Sequence, residues 1–146
     1  MLPSGSSCRG SICSRPCTAA PAKQGTIMLD RNRIVEAILE YCRAETEKDK
    51  HAWLGLFSDR IVHEDPVGSI PNRGTAMLSK FWDGFQQANV KTDVVRPVIV
   101  CGNEAVAIMR CEAGPLHSRI VIDPIVDHFV FDEDGKIVGV RVFFER

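Results

Sequence analysis

Ile125-Val126-Asp127-His128-Phe129-Val130-Phe131, followed by Asp132-Glu133-Asp134-Gly135 and then by the apolar run over 137–144, decides the fold. Val, Ile and Phe dominate both runs, as in strands, and side chains along a strand alternate between its two faces. Ile125, Asp127, Phe129 and Phe131 therefore share one face. The acidic, glycine-ended tetrad between the runs is a hairpin turn signal. Upstream, a long strand over 118–131, broken at Pro124, follows a loop at Gly114-Pro115. A strand over 105–112 follows a turn at Gly102-Asn103, and a Val/Ile-rich strand over 91–101 precedes that turn.

Before residue 91 the period changes. Ile34, Ile38, Tyr41 and Glu45 recur at helical spacing, and Val35, Leu39 and Cys42 widen the apolar stripe. This predicts a helix that starts at an Asp30 N-cap and ends around 48–50. A second helix over 51–57 turns Trp53, Leu54 and Phe57 inward, and a short strand covers 61–64. A loop over 65–74 follows, with two prolines and two glycines. A third helix over 75–87 buries Met77, Leu78, Phe81, Trp82 and Phe85. Helices first and consecutive antiparallel strands afterwards define an α+β class.

The chain has 146 residues, 45% of them hydrophobic and 25% charged, with a formal net charge of −1. That is one globular domain long enough to bury a core. No basic block gives an argument for nucleic acid, and no apolar run approaches the ~18 residues of a membrane span. Residues 1–29 differ: Ser, Gly, Pro, Ala and Cys dominate, with Arg9, Arg15 and Lys23 and no acid. This reads as a disordered extension, or as a start assigned too early with Met28 as the first residue. A transit peptide is the competing reading, but the amphipathic pattern is missing. The lack of a signal-peptide-like apolar segment predicts a cytoplasmic protein. Cys8, Cys13 and Cys17 lack a fourth ligand for structural zinc, and Cys42, Cys101 and Cys111 sit in apolar patterns as small hydrophobes. No metal site is expected.

Three residues carry the chemistry. Asp127 interrupts an otherwise apolar strand face, where desolvation raises a carboxyl pKa and lets the neutral acid donate a hydrogen bond. An edge position or a pairing with Arg119 is the alternative. Tyr41, the single tyrosine, shares the helix face of Ile34 and Ile38. Asp65 ends the run His63-Glu64-Asp65-Pro66-Val67-Gly68-Ser69, before a Pro/Gly turn. Each alone has an ordinary structural reading: a turn-forming aspartate, a core tyrosine. Together they supply one base and two donors. His63 and His128 read as structural or exposed.

The segment Glu64-Asp65-Pro66-Val67-Gly68-Ser69, with Pro71 and Gly74-Thr75-Ala76, resembles the base-bearing loop of the steroid Δ-isomerases (ketosteroid isomerases) of the nuclear-transport-factor-2-like superfamily. Ile125-Val126-Asp127-His128-Phe129 resembles that family's acid-bearing strand, and Tyr41 falls at its oxyanion tyrosine. The resemblance covers about 30–144. It implies a curved antiparallel sheet wrapped by three helices into a cone around an apolar pocket. It further implies a homodimer packed through the sheet, a small hydrophobic steroid-like substrate and no cofactor. Asp65 would be the base, and Tyr41 and Asp127 the donors; an acid kept neutral by its apolar site is that family's known device. Phe57, Trp82, Phe85, Phe129 and Phe144 are the expected apolar walls. Some members support their tyrosine with further tyrosines, and this chain has none. Because this fold hosts many functions, two alternatives stand beside a 3-oxo-Δ5 steroid isomerase. One is a related cone-fold enzyme, such as a cyclase or dehydratase, acting on another enolisable ketone. The other is a noncatalytic module that binds hydrophobic ligands.

Overall fold

The computed structural model describes residues 28–145. The expectation for residues 1–27, with Cys8, Cys13 and Cys17, lies outside the described residues. Contacts of the folded domain begin at Leu29, whose backbone N–H donates to Asn103 Oδ1 at 2.9 Å.

Helix α1 (Arg31–Glu47) buries Ile34, Ile38, Tyr41, Cys42, Ala44 and Glu45 along one stripe. Asp30 occupies the N-cap position without a side-chain hydrogen bond, and Lys48 ends the helix in the left-handed region at φ 61°. Leu39, expected on the apolar face, is exposed because it lies off the inward stripe. Helix α2 (Lys50–Gly55) is capped by Asp49, which accepts from the Ala52 N–H at 2.9 Å. It stops before Phe57, which opens strand β1 (Phe57–Glu64) instead of ending a helix. Strand β2 (Asn72–Arg73) leads into helix α3 (Gly74–Gln87), which buries Leu78 and Trp82 while Met77 stays exposed. Gly74 adopts φ +77° at this strand-to-helix corner, with the Asp59 carbonyl 3.5 Å from where a Cβ would sit.

The Val/Ile-rich stretch forms two strands, β3 (Lys91–Val94) and β4 (Ile99–Cys101), not one. Pro97 lies between them and cannot donate to a ladder. Strands β5 (Glu104–Ala113), β6 (Ile120–Phe131) and β7 (Ile137–Phe143) follow. Strand β6 runs unbroken through Pro124. Between the Met109–Ile125 and Cys111–Ile122 pairs, Asp123 and Pro124 face the single residue Arg110, so β6 itself bulges at Pro124, and a bulge tolerates a residue without an N–H in a central strand.

The seven strands form one curved sheet in the order β2-β1-β7-β6-β5-β3, with β4 also pairing β5. Every pairing is antiparallel except β1 with β7, which is parallel. Ile120, Val121 and Phe143 are exposed beside a concavity that they line. Among the described residues no helix is long and apolar enough to cross a membrane.

Candidate active site

Strand β1 places Ile61 and His63 inward, and Asp65 continues that phase. The turn beyond it is tied down on both sides. Gly68 N–H donates to Glu64 Oε1 at 2.8 Å, and Val67 N–H donates to the Val142 carbonyl at 2.8 Å. Glu64 also meets Arg141 Nε at 3.0 Å on β7. Asp65 is thus held, half-buried, beside Val142. His63 is fully buried against Phe81, ring centroids 4.7 Å apart, and burial pushes its pKa down to about 4. It is a neutral core residue, in keeping with the structural reading of the sequence.

Tyr41 sits mid-helix, its ring enclosed by Phe129 at 5.3 Å, Trp53 at 5.8 Å and Phe57 at 6.3 Å between centroids. Burial raises the phenol pKa well above its usual value, and the carboxyl groups of Glu45, Asp127 and Asp65 add to the rise. Asp127 is paired across the sheet with Ala107 on one side and Val142 on the other. It is therefore no edge residue, and Arg119 bonds Glu112 at 3.2 Å instead. Asp127 is 3% exposed, and its Oδ1 is buried without a hydrogen-bond partner. Burial first, and then the charges of Glu45 and Asp65, push its pKa well above the carboxylate range. Burial of this kind favours the neutral, protonated acid over the carboxylate.

These three residues border one small inner cavity of about 40 Å³, together with Glu45, Phe85, Thr92, Met109, Cys111, Ile125 and Val142. A second cavity of about 540 Å³ shares Asp65, Phe85, Cys111, Ile125 and Val142 with it. That volume lies within the ~300–1,000 Å³ usual for small-molecule sites. Its further lining is apolar apart from Lys80: Phe81, Val90, Ile122 and Phe144 among others. Asp65 stands at the boundary, facing an apolar chamber on one side and a polar recess on the other. Among the described residues no cluster of three His, Cys, Asp or Glu side chains is arranged to hold a metal.

The SnoaL-like domain model matches residues 38–140, a span that contains all three residues. The chain belongs to the SnoaL-like family. Among curated proteins it is 30% identical over 109 residues to a steroid Δ-isomerase of Nocardioides simplex, covering 74% of this chain and 86% of that one. Among solved structures it superimposes on SalBIII, an epoxide hydrolase/cyclase-like enzyme of pyran ring formation in polyether salinomycin. There the TM-score is 0.73 at 26% identity, covering 80% of this chain and 93% of that one. The Δ5-3-ketosteroid isomerase of a Mycobacterium species superimposes with a TM-score of 0.69 at 23% identity, covering 77% and 93%, and speaks to the fold.

Of the five expected wall residues, Phe85 and Phe144 line this SnoaL-like cavity. Phe57, Phe129 and Trp82 do not. Phe57 and Phe129 pack against the Tyr41 ring, and Trp82 stacks on Trp53 at 4.7 Å. Phe57 and Phe129 hold the tyrosine and Trp82 backs Trp53; the walls are largely aliphatic. Sequence reasoning took Glu45 only as a helix-period marker, yet it is 3% exposed inside the site. Burial lifts its pKa to about 7, against opposing interactions with Thr92 and Tyr41. The Trp53 indole nitrogen is buried without a hydrogen-bond partner.

The Glu45 shift has a stability consequence. The folded pKa is raised above the unfolded one, so the folded state holds its proton longer and stability falls as pH rises between about 4.5 and about 7. Glu45→Gln removes that dependence. The stability difference between variant and wild type should grow in the variant's favour by about 3 kcal/mol across the window. Denaturant unfolding at the two ends measures it, and the titration of His63 cancels in the difference.

Proposed function

We propose that this protein is a cofactor-independent steroid Δ-isomerase that converts 3-oxo-Δ5 steroids to 3-oxo-Δ4 steroids through a dienolate. The observation that carries the reading is the placement of Asp65 between an apolar chamber and a recess bordered by Tyr41 and Asp127. The Asp65 carboxylate takes a proton from carbon 4. The C–H electron pair moves into the new double bond, and charge collects on the carbon-3 oxygen. Tyr41 and neutral Asp127 donate hydrogen bonds to that oxygen. In a dry site each such donor is worth about 3 kcal/mol of barrier. Asp65 then returns the proton at carbon 6, and no oxidant or co-reactant is needed. A carboxylate suits both halves, being basic enough to take the proton and weak enough to return it.

The likeness to the Nocardioides simplex enzyme supports this reading at the level of reaction class. The likeness to SalBIII favours a second one, in which the same base and donors act on an oxygen-rich polyketide. The test is the rise of enone absorbance when the purified protein meets 5-androstene-3,17-dione. Turnover supports the isomerase. Binding without turnover favours the polyketide enzyme or a binding module.

The same reading includes a cytoplasmic homodimer that covers the outward sheet face. Exposed Ile120, Val121 and Phe143 form the kind of contiguous apolar surface that marks an interface. Light scattering should give twice the chain mass, and Val121→Asp should halve it. A wild-type monomer would contradict the dimer.

A further inference from the structure

Glu45 is a buried carboxyl bordering the inner cavity to which the isomerase reading gives no task. It follows Tyr41 by one helical turn, so the two side chains lie on one face of α1, and both border the inner cavity. Gln86 on α3 donates to the Glu45 backbone carbonyl at 3.3 Å, and the groups acting on the Glu45 side chain or acted on by it come from several other elements. They are Tyr41 and Cys42 on its own helix, Trp53 on α2, Asp65 in the loop, Thr92 on β3, Cys111 on β5 and Asp127 on β6. None is a cation, and the inner cavity is bordered by no Lys, Arg or His. A carboxylate here has no positive partner, whereas a neutral acid has the Tyr41 oxygen to donate to.

We propose that Glu45 is a positioning residue for Tyr41. As the neutral acid it donates to the phenol oxygen and leaves the single phenol hydrogen for the substrate oxygen. As the carboxylate it accepts that hydrogen and withdraws the donor. The phenol has one hydrogen to give, so the two states exclude each other. Glu45 thus does the work that the missing supporting tyrosines do elsewhere in the family. Burial brings its pKa to about 7, so both states are populated near neutral pH.

The inference rests on the isomerase reading for its kinetic part, and its spectroscopic part stands alone. Tyr41 is the only tyrosine, so the full chain grown with carbon-13 at the tyrosine phenol carbon gives one assignable resonance. It should shift as pH passes through about 7 in the wild type and stay flat through the same range in Glu45→Gln. A flat wild-type resonance, or a shift that persists unchanged in Glu45→Gln, would overturn the proposal. In the kinetic arm, wild-type kcat should fall as pH rises through about 7, with Glu45→Gln level and within about threefold of the wild-type maximum. Glu45→Leu should lose about tenfold at every pH, less than the ~100-fold for removing a donor itself. A pH-coupled Tyr41 resonance without steroid turnover would sink the isomerase reading and keep the Glu45–Tyr41 pair. Turnover with a pH-blind Tyr41 would do the reverse.

Discussion

Asp65→Asn is expected to lower kcat about a thousandfold while leaving the fold and ligand affinity in place, since a general base contributes ~10²–10⁴ in rate. The amide matches the carboxylate in shape but cannot accept the carbon-4 proton. Asp65 is only half-buried, and the chain around it is held by backbone bonds from Val67 and Gly68 that the substitution does not touch. A binding module predicts the same unchanged ligand affinity but no turnover in the wild type for the substitution to remove. The measurement is the enone rate beside steroid affinity and thermal unfolding for the same two proteins. A variant that retains wild-type turnover removes Asp65 from the chemistry.

Asp127→Ala is expected to cost about a hundredfold in kcat with little change in KM, because the lost donor acts on charge that develops only in the transition state. Asp127→Asn keeps the volume and an amide NH2 that can donate, so its loss should be smaller, about tenfold. Neither variant should unfold. In the wild type a buried carboxyl with a raised pKa supports stability below the unfolded pKa and withdraws that support as pH rises toward the folded value. Asp127→Asn should therefore gain on the wild type as pH rises from the acid range to neutral, by denaturant midpoint. Infrared spectra complete the test: the wild type should show a protonated-carboxyl band at neutral pH that Asp127→Asn loses. If Asp127 proves ionised there, it is not a donor.

Much of this architecture was legible where one physical signal dominates. The period of two over 125–131 and the turn at 132–135 located the β6–β7 hairpin and aimed Asp127 inward, because a register slip would turn every side chain of the strand over. The stripe from Ile34 to Glu45 located α1 for the same reason, with the helical period. Reading failed where tertiary contacts decide. Phe57 looks like the last inward residue of a helix, and only pairing with Ile137 makes it the start of a strand. Pro124 looks like a strand breaker until a bulge in β6 at that position accommodates it. The parallel pairing of β1 with β7 has no local signature.

Within the site, Asp65, Tyr41 and Asp127 stood out as carboxyls or a phenol against apolar surroundings, and the structure brings all three to one cavity. The walls did not stand out. Large aromatics invite the role of pocket lining, yet Phe57, Phe129 and Trp82 are spent on packing around Tyr41 and Trp53, leaving aliphatic residues such as Ile125 and Val142 exposed to the cavity. Glu45 carried the same signal as Asp127, a charge on an otherwise apolar stripe. It was concealed because charged residues are common on helices and rare inside central strands.

The central claim is that one carboxylate carries one proton from carbon 4 to carbon 6. Conversion of 5-androstene-3,17-dione bearing deuterium at carbon 4, in ordinary water, tests it most directly by the position of the label in the product. The account predicts conjugated product with part of the deuterium at carbon 6, and no such transfer with Asp65→Asn. Product whose carbon-6 hydrogen comes wholly from solvent, transfer that survives in Asp65→Asn, or no product from the wild type would contradict it.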